Sequence, residues 1–204
     1  MKSVWIIAAV VSVVLCGCQQ QTRNIDMVND TGKAVMALDY RDFDQAATAM
    51  VESLIQSGVL SKPGGGRYVV ATGRIVNDTM QRIDTDQLMA KIEQEIMNSG
   101  QVVMTSAVGG RGATDIMIDE MRYIRDSAGA GEFAGETLPQ AGQLIAPELS
   151  ISGKIIQRNI RYDQNTEQVE YYFQLQLSEI ARGLRYWQEE TLIGKRGDRR
   201  AVSW

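Results

Sequence analysis

The sequence predicts a single α/β (α+β) domain: a mixed sheet of about five strands that ends in an antiparallel three-strand meander, with helices packed on it. Three observations carry this expectation. From Glu148 to Arg196 the chain passes through three strand-forming runs separated by two turns. Upstream, helical and strand-like periods alternate in the order helix, strand, helix, strand, helix. Hydrophobic residues make up 44% of the 204 positions against 23% charged, enough apolar surface to bury one core.

The first helix follows Asp39-Tyr-Arg-Asp-Phe43. Phe43, Ala46, Ala47, Met50, Val51, Leu54 and Ile55 recur at helical spacing, and Gly58 is the expected stop. Lys62-Pro-Gly-Gly-Gly-Arg67 superficially suggests a phosphate loop, but it feeds a strand, Tyr68 to Val76, rather than a helix carrying a lysine–hydroxyl pair. It reads as a tight turn. Asp84 with Gln87 is a helix start, and Leu88, Ile92 and Ile96 form that helix's buried stripe. Gln101 to Val108 is β-rich and predicts the next strand, followed by the loop Gly109–Gly112. Thr114 or Asp115 caps a third helix running to about Ser127, expected to bury Met117, Met121 and Ile124. Residues 128–147, rich in Gly, Ala and Pro, are a loop.

The meander is the clearest element. Val169, Tyr171, Phe173, Leu175 and Leu177 alternate with Glu170, Tyr172, Gln174, Gln176 and Ser178, the period of a strand with one face on a core and one in water. Ile151, Ile155, Leu184, Trp187, Leu192 and Ile193 are the apolar contribution of the flanking strands. Asp163–Thr166 and Arg182-Gly183 are the turns, with Gly183 suited to positive φ.

Absences bound the chemistry. The chain has no histidine, and its two cysteines, Cys16 and Cys18, both precede residue 20. Histidine-dependent triads, histidine or thiolate metal sites and disulfides are therefore excluded from the domain, and no cofactor is expected. A net charge of -4 without a basic run argues against a nucleic-acid partner.

The N-terminus reads as an address. A basic start, an uncharged apolar run from Val4 to Leu15, and Leu15-Cys-Gly-Cys18 before a polar stretch together resemble the lipobox of bacterial lipoproteins. That resemblance implies a signal peptide over 1–17, acylation of Cys18, a short tether over 18–38 and a periplasmic domain over 39–204. Gln19 after the cysteine implies export to the outer membrane. A fully stretched tether of about 20 residues reaches no further than ~70 Å.

Leu38-Asp-Tyr-Arg-Asp-Phe, Pro63-Gly-Gly-Gly-Arg-Tyr-Val-Val, Val76-Asn-Asp-Thr, Arg82-Ile-Asp-Thr-Asp-Gln-Leu, Leu149-Ser-Ile-Ser-Gly-Lys-Ile-Ile-Gln-Arg, Tyr172-Phe-Gln-Leu-Gln-Leu and Ile193-Gly-Lys-Arg occur in this order. Together they resemble the LpoB family, outer-membrane lipoproteins that activate a bifunctional, class A penicillin-binding protein. The resemblance implies a non-enzymatic domain that docks on the synthase and regulates peptidoglycan synthesis. From the residues themselves, outward-facing Arg158, Tyr162 and Tyr172 of the meander are the candidate contacts, because arginine and aromatics concentrate at interface hot spots. Two other readings compete. One is a carboxylate-based glycan hydrolase using Glu132 with Glu136, or Asp115 with Asp119. The other is an envelope assembly or secretion lipoprotein resembling the curli-export subunit CsgG, which would need a lipid-facing strand pair.

Overall fold

The computed structural model describes residues 24–27, 29–110 and 113–201, with the side chain of Ala128 left out. Cys18 and the lipobox lie outside the described residues. The chain divides into two units, Met1–Gly32 and Lys33–Trp204. In the described part of the first, Asn29 Nδ2 donates to Asp26 Oδ2 at 2.7 Å.

Helix α1 (Tyr40–Gln56) starts at a complete capping box. Asp39 accepts from the amides of Arg41 and Asp42, and Asp42 Oδ2 accepts from the Asp39 amide at 2.7 Å. The apolar stripe is buried as its period predicts, through Ala46, Ala47, Met50, Val51 and Leu54. Gly58, at φ +74°, follows the C-cap and releases the chain. Strand β1 (Tyr68–Asp78), helix α2 (Thr85–Asn98) and strand β2 (Val102–Met104) form a β–α–β unit, with α2 the crossover that a parallel pair requires. Asp84 caps α2, and Leu88, Met89, Ile92 and Ile96 go inward.

Strands β3 (Leu149–Arg161), β4 (Thr166–Glu179) and β5 (Leu184–Asp198) are the meander. The sheet order is β2-β1-β3-β4-β5, parallel where β1 meets β2 and β3 and antiparallel across the meander. Helix α1 packs on β5 and α2, and α2 packs on β1 and β2, so both cover one face of the sheet. On that face Tyr171, Phe173, Leu175 and Leu177 are buried, and Phe173 meets Phe43 edge-to-face at 5.9 Å between ring centroids. The β3–β4 turn is held by Asp163 Oδ1, which accepts from the amides of Asn165 and Thr166. Those amides keep its carboxyl below the ordinary aspartate value. Gly183 takes φ +69° in the β4–β5 turn.

Four sequence expectations differ from the structure. Leu184 and Leu192 are exposed rather than in the core. Adjacent strand residues face opposite ways, so the inward Ile193, opposite Tyr171, sends Leu192 outward, opposite Tyr172. The strand expected over 101–108 stops at Met104. Its chain turns across β1, where the Gly110 amide donates to Thr72 O at 2.6 Å and a Cβ at Gly110 would run into Gly73 O. Helix α3 (Ile116–Arg125) ends before Ser127 and has no buried residue, with Met117 more than half exposed.

The fourth difference is at the domain's edge. Residues 33–38, read as tether because they lack a period, lie on the domain as a strap. Tyr171 Oη donates to Met36 O at 3.0 Å, Lys195 Nζ to Ala37 O at 2.7 Å, and the Leu38 amide to Gln81 Oε1 at 3.1 Å. Gln81 Nε2 in turn donates to Tyr171 Oη at 2.5 Å. Lys195 also pairs with Asp42 at 2.5 Å, both side chains nearly buried. Met36 Sδ packs where a Cβ on Gly197 would sit. Burial pushes the Tyr171 hydroxyl up to about 12, against the lowering effect of Gln81. At Asp39, burial pulls the carboxyl upward, but Arg41, Lys195 and the Asp42 amide together hold it below its ordinary value.

Candidate docking face

The other face of the meander carries the alternate residues of each strand, and the register decides which of them meet. Arg158 lies opposite Glu170, Ile156 opposite Tyr172, and Lys154 opposite Gln174. On β4's other side Gln168 faces Arg196, Glu170 faces Gly194, and Gln174 faces Glu190. The side chains join into one connected row. Arg196 stacks on the Tyr162 ring at 3.8 Å and donates to Gln168 Oε1 through Nη2 at 2.6 Å. Gln168 Nε2 donates to Glu170 Oε1 at 2.8 Å, and Tyr172 Oη donates to Glu170 Oε2 at 2.7 Å. Arg158 then lies over the Tyr172 ring at 5.1 Å.

The three candidate contacts of the sequence are thereby brought into one array. Arg158 and Tyr172 touch, and Tyr162, more than half exposed at the hairpin end, connects to them through Arg196, Gln168 and Glu170. Sequence reasoning missed Arg196 and Gln168. Their signal is the strand register, which the sequence pattern does not number. The hydrogen bonds from Tyr172 and Gln168, helped by nearby Arg158, hold the Glu170 carboxyl below its ordinary value despite the opposing effect of burial. The same Glu170 contact raises the Tyr172 hydroxyl. Anion and phenol are therefore both set in their neutral-pH forms, a fixed pattern of charge and ring faces.

The row continues toward the other hairpin as a polar ladder. Gln174 Nε2 donates to Glu190 at 2.7 Å, Gln176 Nε2 to Ser152 Oγ at 2.9 Å, and Lys154 pairs with Asp78 at 2.6 Å. A shallow hollow of about 330 Å³ lies there, lined in part by Lys154, Gln174, Arg185 and Gln188. The inward apolar face of the meander packs in the core shared with α1, while Leu192 stands exposed on the outward one.

The carboxylate pairs sit elsewhere. Asp115 caps α3, accepting from the Met117 amide at 3.0 Å, and Asp119 pairs with Arg122 at 2.9 Å. Glu132 and Glu136 are exposed in two successive 3-10 turns, Ala128–Glu132 and Gly135–Thr137. Among the described residues no group of three His, Cys, Asp or Glu side chains is placed to hold a metal, and no helix is long and apolar enough to cross a membrane.

Comparison with known proteins gives the fold and site their context. The solved C-terminal domain of LpoB from Escherichia coli is similar at 12% identity, covering 74% of this chain and 98% of that one with a TM-score of 0.41. The corresponding domain from Salmonella enterica gives 10% identity, the same coverages and a TM-score of 0.42. Lipoprotein GNA1162 from Neisseria meningitidis gives 8% identity, covering 67% and 87%, with a TM-score of 0.33. No individual curated protein matches the sequence. The sequence model of the family described as "Peptidoglycan-synthase activator LpoB" matches residues 42–193, from the first turn of α1 to the inward Ile193 of β5. On that match, which covers about three quarters of the chain, the chain belongs to the LpoB family.

Proposed function

We propose that this chain is an outer-membrane lipoprotein, held by acyl groups on Cys18, that binds a class A penicillin-binding protein and stimulates its peptidoglycan synthesis without chemistry of its own. The family match across the folded domain carries this reading. The outward face of the meander supports it as the docking surface. Its two arginines and two tyrosines are already oriented by the contacts around Glu170, so less side-chain freedom is lost on binding. The strap shortens the leash. With Lys33 onward on the domain, only about 15 residues separate it from Cys18, a reach of ~50 Å. The synthase must then extend outward to meet the domain. A domain confined to that layer presents itself at high local concentration, so weak docking suffices.

The full chain in detergent, used to capture partners from an envelope extract and then added to a glycan-polymerisation assay, tests the reading. A class A synthase is enriched and its rate rises. Tyr172→Ala with Arg158→Ala loses at least about tenfold in capture, on the scale of hot-spot truncations. Intact-mass analysis of the mature chain shows an acylated Cys18 as its first residue. Absence of synthase enrichment at high loading sinks the docking claim, and an unmodified first residue sinks the anchoring claim.

A further inference from the structure

The sheet has two unlike edges. At one, β2 is three residues long, a short edge of the kind that resists pairing. At the other, β5 runs for 15 residues without a proline. The Arg199 amide donates to Asn165 O at 2.9 Å, one step beyond the Thr166–Asp198 pair. Hydrogen-bonded and non-bonded pairs alternate along an antiparallel ladder, so the odd-numbered residues from Glu189 to Gly197 turn their backbone groups toward β4. Glu190, Leu192, Gly194 and Arg196 turn theirs to the open edge, and all four are exposed. Among the described residues, no backbone bond from outside the β4–β5 ladder reaches them.

The two sides of this edge differ as well. Inward, Lys195 pairs with Asp42, and Glu189 Oε2 accepts from Ser53 Oγ at 2.7 Å, so both charges are committed to α1. Outward, the charges are not neutralised. Glu190 accepts from Gln174 but meets no cation among the described residues, and Arg196 gives Nε and Nη2 to Gln168 but meets no acid there. Nothing lies within 4 Å of where a Cβ on Gly194 would stand, and Leu192 is 55% exposed.

We propose that two copies of this chain pair antiparallel through β5, centred on Ile193, so that the two sheets become one. Directly opposite residues share a face, and a two-fold axis repeats every contact. In this register Glu190 stands opposite the partner's Arg196, and Leu192 opposite the partner's Gly194, where the missing side chain leaves it room. Other registers lose the match. Centred on Leu192, Glu190 meets the partner's Gly194 and Arg196 meets the partner's Gln188. Centred on Gly194, Glu190 meets the partner's Asp198, a like charge. A foreign strand would have to bring an acid and a base at the required spacing, whereas β5 carries both itself.

Sedimentation equilibrium of the full chain in a density-matched detergent reads the protein mass and tests the pairing. A reversible dimer is the expected result. Glu190→Arg sets arginine against arginine twice across the edge and weakens the dimer about tenfold. Arg196→Glu does the same with glutamates, and the double variant Glu190→Arg with Arg196→Glu restores the dimer because the charges are exchanged rather than lost. Gly194→Pro removes an N–H from the open edge, where the domain itself tolerates proline, and abolishes the dimer. Thermal unfolding of each variant checks that the domain is intact. A monomer at every concentration, a dimer indifferent to either charge reversal or to Gly194→Pro, a double variant as weak as the single ones, or an assembly larger than two copies would each overturn the proposal.

Discussion

Helices α1 and α3 have the same local recipe and opposite fates. Each begins at an aspartate cap, Asp39 or Asp115, and each has a strongly one-sided apolar face. Helix α1 buries Ala46, Ala47, Met50, Val51 and Leu54 against the sheet and α2, whereas α3 only half-buries Ile118, Met121 and Ile124 and leaves Ile116, Met117 and Tyr123 exposed. Amphipathicity states that a helix has an apolar side to cover. It does not state that the same domain covers it.

The contrast predicts a graded set of outcomes. Leu54→Ala removes a fully buried side chain and costs about 3–4 kcal/mol in urea unfolding, whereas Met117→Ala stays within about 0.5 kcal/mol. Comparable losses at the two positions would erase the distinction. Lys195→Ala leaves the nearly buried Asp42 beside α1 without its cation and costs about 3 kcal/mol. Replacing the pair with Lys195→Met and Asp42→Leu recovers only part of that, because no charge then remains buried alone but the Asp39 amide and Ala37 O lose their partners.

Tyr171→Phe deletes the hydroxyl that holds Met36 O and costs about 1–2 kcal/mol. It also changes the alkaline limb. Because the folded value of Tyr171 is raised to about 12, its contribution is complete below the unfolded value near ~10 and is lost as pH rises toward the folded one. The phenylalanine variant loses that part of the pH dependence in unfolding curves.

The smallest effects compare the caps. Asp39→Ala costs about 1 kcal/mol of global stability. Since its folded value is depressed, Asp39 stabilises above the unfolded value near ~3.9, and this is lost as pH falls through the folded one. Asp115→Ala leaves global unfolding unchanged and instead speeds amide exchange within α3 alone. Global destabilisation by Asp115→Ala would mean that α3 is part of the cooperative core.

Legibility followed the same line. The burial alternation of β4 and the caps Asp84 and Asp115 are visible in the sequence because each depends on neighbours within a few residues. The strap was not visible. Met36, Ala37 and Leu38 have no period, and they are held by Tyr171, Lys195 and Gln81, which are distant in sequence. Leu192 illustrates the limit within a strand, since two adjacent apolar residues leave open which of them faces in. At the docking face, Arg158, Tyr162 and Tyr172 are identifiable as outward residues. Their union through Gln168, Glu170 and Arg196 depends on cross-strand register.

Residue order alone determined the helices, the meander, the turns and the family, since period, capping and turn chemistry are local and the family match is a property of order. Tertiary structure alone decided that residues 33–38 belong to the domain, that α3 has no fully buried residue, and that three scattered outward residues form one row. Those outcomes rest on contacts between segments far apart in the chain, where packing and register choose among faces that local preference leaves equivalent.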